Sequence, residues 1–319
     1  MNIREWALPV YTILMQMAVG ALLMLWLVRA ASLRRHAPAA VDRVLRLPLA
    51  AIWITTLTAV TASHWHLSRF YLSPLAVLNW RTSWLSREII FTVLFFALTT
   101  ALLWLLWFRD GRTRLKTALG WASVAAGYGV IYSMSRIYLL PSQAFWNTPL
   151  TLAGFLLASI LLGATAVPVF LVMDLKFTEV ACNADVGRAG AATDAAMADI
   201  GLRQRIIRHS FGWLAAAALV AAGLAPLLSV RLIEMLSHGD VAAQTSLALL
   251  LGLYRPLLIL RFVALFSGVG GFLLTAWRVR GTRMPLNLTN SVYLVCLLVL
   301  VAEITGRFLF YAVHVRTGL

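Results

Sequence analysis

The chain has 319 residues, of which 61% are hydrophobic and only 12% charged, with a mean hydropathy of +0.84 and a formal net charge of +15. That balance excludes an ordinary soluble domain, in which about a quarter of the residues carry charge. The basic residues are scattered through short connections instead of forming a basic domain, which argues against a nucleic-acid partner and leaves the lipid bilayer as the surroundings.

Eight apolar stretches run roughly over 6–28, 48–66, 88–108, 117–138, 149–173, 210–234, 247–277 and 288–312. Most reach the roughly 20 residues that a membrane-crossing helix needs. The expected architecture is an all-α, polytopic membrane helix bundle with eight transmembrane helices, forming a single integral membrane domain over 1–319. The first stretch follows Met1-Asn2-Ile3-Arg4-Glu5 and carries its strongest positive cluster after it, so it reads as a retained helix and not a signal peptide. The seventh is overlong, and so is expected to tilt or to begin above the membrane.

Orientation follows from the connections. Arg29, Arg34, Arg35, Arg43 and Arg46 follow the first stretch, and Arg109, Arg112, Arg114 and Lys116 follow the third. Lys176, Arg188, Arg203, Arg205 and Arg208 follow the fifth, and Arg278, Arg280 and Arg283 the seventh. These groups hold most of the 27 basic residues, which puts that side in the cytoplasm and both termini outside.

The second stretch leaves the membrane at His64-Trp65-His66, and the third enters it through Trp84-Leu85-Ser86-Arg87-Glu88. Trp65, Trp80 and Trp84 read first as an interfacial aromatic belt, with Arg69, Arg81 and Arg87 snorkelling to head groups. His66 and Glu88 are different, because both titrate and together they could accept two protons. Arg136 closes the fourth stretch, and Arg261 enters with the seventh. Glu303 and Arg307, spaced i, i+4, lie near the outer end of the eighth and are open to an intrahelical ion pair. At ~1.5 Å of rise per residue, Glu303 and Arg307 stand ~22 and ~28 Å above the inner end, and Arg136 and Arg261 reach a similar height. Ionisable groups are costly in hydrocarbon, so six of them at one depth point to a shared polar site for protons or a polar ligand.

Some chemistries lack their residues. Cys182 and Cys296 form no CxxC cluster, so the chain is expected to hold no iron–sulfur cluster of its own. His36 and His209 lie at inner ends and His64, His66 and His314 at outer ends, an arrangement unsuited to facing haem ligands, so no haem is expected. Ser267-Gly268-Val269-Gly270-Gly271 sits inside an apolar helix and reads as helix packing, not a phosphate loop. Ala189 to Ala198 reads as a cytoplasmic linker.

The segments from His66-Leu67 to Leu85-Ser86-Arg87-Glu88-Ile89, from Ser135-Arg136-Ile137-Tyr138 to Trp146, and from Ala302-Glu303-Ile304-Thr305-Gly306-Arg307 through Phe310-Tyr311-Ala312-Val313-His314 resemble the dimethyl sulfoxide reductase membrane anchor family. The resemblance implies an eight-helix anchor in a bacterial cytoplasmic membrane that oxidises menaquinol or another quinol. Electrons would pass to a four-cluster iron–sulfur subunit joined to a molybdopterin catalytic subunit. It also implies His66 and Glu88 as the quinol-site pair; Arg136, Arg261, Glu303 and Arg307, the charged layer at the same height, are expected to surround the bound quinone. The anchor of a polysulfide or other sulfur-compound oxidoreductase, including one that reduces quinone, is the near alternative. A proton-coupled transporter is the alternative from another class, although its path would call for polar groups near the midplane.

Overall fold

The computed structural model describes residues 3–66, 77–189, 194–281 and 287–315. Among them the regular structure is almost wholly α-helical. The order is α1 Ile3–Ser32, α2 Pro38–His66, α3 Trp84–Phe108, α4 Thr113–Ile137, α5 Pro149–Ala189, α6 Asp194–Ser237, α7 Val241–Leu251, α8 Arg255–Val279 and α9 Leu288–Ala312. Seven of these are long and apolar enough to cross a membrane. α4 is more polar but matches α3 in length, follows it through a four-residue turn, and packs on α1, α3 and α5, so it makes the eighth crossing. That turn is tight because Gly111 and Arg112 adopt positive φ, 73° and 50°.

The overlong seventh stretch resolves into two helices. Asp240 caps α7 through its side chain, accepting from the Ala243 amide at 2.8 Å, and Gly252 ends it. α8 then starts afresh at Arg255, with a proline in its first turn. α5 and α6 run for 41 and 44 residues. At ~1.5 Å per residue each is about twice the hydrocarbon thickness, so their joined ends extend the bundle beyond the inner surface. The stretch expected as a linker over 189–198 is largely the ends of these two helices, leaving 190–193 outside the described residues.

The helices form two groups, α1–α4 and α5, α6, α8 and α9, joined along α1 and α5. These two are the most enclosed, with 72% and 78% of their most apolar windows buried against 28% for α3 and α8. Their crossing depends on glycine. A Cβ on Gly20 would sit 1.7 Å from the Ser159 carbonyl oxygen, and one on Gly163 would sit 2.1 Å from the Gly20 carbonyl carbon. Backbones approach this closely only where no side chain intervenes. Gly268 does the same for α8 on α9, where its Cβ would meet Val299 at 2.9 Å, as expected for that glycine-rich run; Gly270 faces open space.

Several charges at the inner ends are paired and sealed. Arg29 donates to Asp42 at 3.0 Å and to the Thr117 hydroxyl at 2.8 Å, and Lys116 donates to the other Asp42 oxygen at 2.9 Å. All three charged side chains are at most 5% exposed, so they clamp α1, α2 and α4 together instead of facing the cytoplasm as connection residues. Arg203 joins α6 to α5 in the same way through Asp174, at 2.6 Å, and also holds Asp199.

Candidate functional site

The polar layer near the outer ends is built from α1 outward. Its first element is a stripe at i, i+4, i+8 on α1: Thr12, Gln16 and Gly20 share one helix face. Gly20 brings α5 close, and the two polar residues above it face the charged ends of the neighbouring helices. Tyr11, beside them, is 7% exposed.

Glu88 lies in the second turn of α3, whose start is fixed by Ser83 accepting from the Ser86 amide at 3.3 Å. The glutamate is 5% exposed. The Tyr11 hydroxyl hydrogen-bonds its carboxyl group and lies 3.3 Å from the Thr92 hydroxyl one turn deeper on α3. On its outer side Trp84 is flanked by two cations, Arg87 at 4.1 Å and Arg136 at 5.0 Å from its ring centre, with Tyr132 edge-on to it. Arg87 also donates to the Trp80 and Arg81 carbonyls, tying the preceding turn to α3. Trp80 is half exposed under Arg81, as an interfacial belt residue should be. Arg136 is thus held by an aromatic face, and its Nε has no hydrogen-bond partner among the described residues.

Between Glu88 and the other charges stand two tyrosines. The hydroxyls of Tyr138, just past α4, and Tyr311, at the end of α9, meet at 2.5 Å, and both lie within Coulombic range of Glu88 and of Arg307. Tyr311 also hydrogen-bonds Thr12. Trp146 donates to the Phe310 carbonyl at 2.7 Å and stacks on His314 at 4.3 Å, closing an aromatic lid over the pair. The segments 135–146 and 302–314, which sequence alone presents as separate motifs, therefore pack on each other.

Arg307 does not pair with Glu303. It donates to the Gln16 amide oxygen at 3.0 Å and lies 4.0 Å over the Phe155 ring. Among the described residues Glu303 has no ion-pair partner. The i, i+4 pair left open by the sequence is broken because Gln16 and Phe155 draw the guanidinium toward α1 and α5. Glu303, Arg307 and Arg261 instead line a cavity of about 140 Å³ between α5, α6, α8 and α9, with Thr148, Thr151 and apolar walls including Ala225 and Leu228. Arg261 reaches it by lying on Gly306, whose missing side chain leaves the room: a Cβ there would be 2.7 Å from the guanidinium Nε.

The five expected residues whose side chains are described thus lie toward one end of the bundle but not in one pocket. Glu88 has its own enclosure, Arg136 sits outside it against Trp84, and Arg261, Glu303 and Arg307 surround the cavity, with the tyrosine pair between. The side chain of His66 lies outside the described residues. The helix carrying it is in register with α3: Arg46 donates to the Leu106 carbonyl, and Trp53 donates to Thr100 at 2.8 Å. Continued outward, that register sets the end of α2 level with the Glu88 turn. Tyr11, Thr12 and Gln16 went unnoticed in the sequence, where polar residues spaced four apart in an apolar helix were the available signal.

Comparison with curated proteins returns no match. A family comparison does. Residues 1–184 match the DMSO reductase anchor subunit (DmsC) family, a region that spans α1–α4 and most of α5 and contains Glu88, Arg136 and the tyrosine-bearing end of α4. Arg261, Glu303 and Arg307 come from the remaining helices but complete the same layer through Tyr138 and Gln16. By this match over more than half its length, and by its helical membrane architecture, the chain belongs to the DMSO reductase anchor subunit family.

Proposed function

We propose that this anchor subunit oxidises a quinol, menaquinol being the expected substrate, at the outer end of α2 and α3, and passes the electrons to a four-cluster iron–sulfur subunit bound to a molybdopterin catalytic subunit. One observation carries the reading: Glu88 is buried inside a membrane helix, hydrogen-bonded by Tyr11, at the end of the bundle where an extramembrane partner can approach. An ionisable carboxyl so enclosed needs a function to offset its cost in hydrocarbon.

Oxidising one quinol releases two electrons and two protons. In this reading the electrons leave to the partner's clusters on the same side of the membrane. His66 and Glu88 each accept one proton from a quinol hydroxyl. Tyr11 and Thr92 orient the Glu88 carboxyl for that transfer. Arg136 and Arg307 make the surroundings positive, which favours the substrate as its first proton leaves. Tyr138 and Tyr311, within Coulombic range of both Glu88 and Arg307, stand between the Glu88 site and the Arg261, Glu303 and Arg307 cavity.

Glu88→Gln tests the proposal. The amide keeps the shape and a hydrogen bond to Tyr11 but carries no titrating proton. The complex should assemble and keep its activity with a soluble dye donor, while quinol-linked turnover falls about 100-fold or more, the usual range for a lost proton acceptor. Normal quinol turnover in an assembled variant would remove Glu88 from the mechanism.

A further inference from the structure

A second cavity, of about 190 Å³, opens at the inner end of the bundle, far from the charged layer. Val28, Ala31 and Ser32 at the end of α1, Arg34, Arg35 and His36 in the following turn, and Ile206, His209, Ser210 and Trp213 on α6 line it. Arg34 and Arg35 from the turn and the imidazole of His209 from α6 face one space. Desolvation lowers the pKa of His36 below the ordinary imidazole value, and the nearby Arg205, His209 and Arg35 push it the same way. Arg280 adds another guanidinium against Gly212, beside Trp213.

None of the residues lining the cavity is a carboxylate, and several carboxylates of this face are engaged elsewhere. Asp42 holds Arg29 and Lys116, Asp174 and Asp199 hold Arg203, Asp110 meets Arg46, and Glu179 takes Lys176. Among the described residues no ion pair engages Arg34, Arg35, Arg205 or His209, so the cavity is positive and uncompensated. It is also amphipathic along the membrane normal. Val28, Ala31, Ile206 and Trp213 form its apolar walls, and Arg34, Arg35 and His36 lie in the turn that follows α1, toward water. A free inorganic anion would have no use for those walls, whereas a phospholipid matches both parts.

We propose that this cavity is a binding site for an anionic phospholipid of the inner leaflet. Its phosphodiester rests among Arg35, His36 and His209, and its acyl chains pass along Val28, Ala31 and Trp213 into the bilayer. Bound there, it neutralises the cluster and bridges α1 to α6, hence one helix group to the other.

The test uses the full-length protein, stripped of lipid in nonionic detergent, with phosphatidylglycerol binding followed by native mass spectrometry. Arg35→Gln combined with His209→Gln should weaken phosphatidylglycerol binding about tenfold, since one Arg near the surface contributes roughly a fivefold attraction and the lost imidazole contact adds to it. Arg35→Glu alone, at an exposed position, should show a comparable loss in case the double variant is poorly folded. Arg112→Gln with Arg114→Gln, equally basic and on the same face but outside the cavity, should change nothing. Phosphatidylcholine should not compete, and millimolar inorganic phosphate should not displace the lipid. Equal losses in both double variants would reduce the effect to diffuse surface attraction and overturn the site. Displacement by inorganic phosphate would overturn the lipid as its occupant.

Discussion

Asp42 shows how much one residue can carry. Among the described residues it is the one acid of the buried cluster it forms with Arg29 and Lys116. Removing one member of a buried charge group strands the others, at a typical cost of about 3–5 kcal/mol. Asp42→Asn should therefore lower the unfolding temperature and the yield of inserted protein, whereas Asp110→Asn, at a carboxylate 91% exposed, should leave both near wild type. At the outer layer Gln16 bears the corresponding weight for Arg307. Gln16→Leu leaves the guanidinium without its acceptor in hydrocarbon, at about 1–3 kcal/mol for the lost partner. Glu303→Gln breaks no ion pair and should be milder. Thermal unfolding of the two variants checks the order, and a greater loss for Glu303→Gln would restore the intrahelical pair. Sequence showed Glu303 and Arg307 but not this partnership, because the competing group is almost the whole chain length away on α1.

Among elements, the crossing of α1 and α5 governs the rest. The two most enclosed helices touch through Gly20, Ser159 and Gly163, with no room for a side chain. Gly163→Val should separate them, loosen the Gln16–Arg307 and Arg307–Phe155 contacts one and two turns outward, and cut recovery of assembled protein. Gly154→Ala and Gly223→Ala, where an added Cβ meets nothing within 4 Å, should be tolerated. Size-exclusion chromatography of detergent extracts distinguishes these outcomes. The long apolar helices were legible from length and hydropathy alone, whether they face outward, as α8 does with its exposed Val263 and Phe266, or are enclosed, as α1 and α5 are. The extension of α5 and α6 past the membrane was not. Their outer portions announce themselves by hydropathy, while their inner portions are helical through mutual packing and the Arg203–Asp174 clamp, which no local pattern displays.

For the molecule as a whole, layering was readable from charge alone: basic residues gather at one end, and the embedded acids and arginines at the other. What charge could not show is the division of that layer. Depth is a one-dimensional property that the chain records directly; lateral position depends on which helices neighbour one another, and so on Gly20, Gly306 and the Tyr138–Tyr311 contact. The outcome is two helix groups with Glu88 in one, the Arg261, Glu303 and Arg307 cavity in the other, and a tyrosine pair between them. The central claim is that quinol reacts in the first group, at its outer end. A photoreactive quinone analogue bound to the membrane complex, followed by peptide mapping of the labelled site, tests it most directly. The account predicts label concentrated between residues 60 and 92, the end of α2 and the start of α3, and lost when excess quinol is present. Label absent from that segment and found at the inner ends of the helices would contradict it.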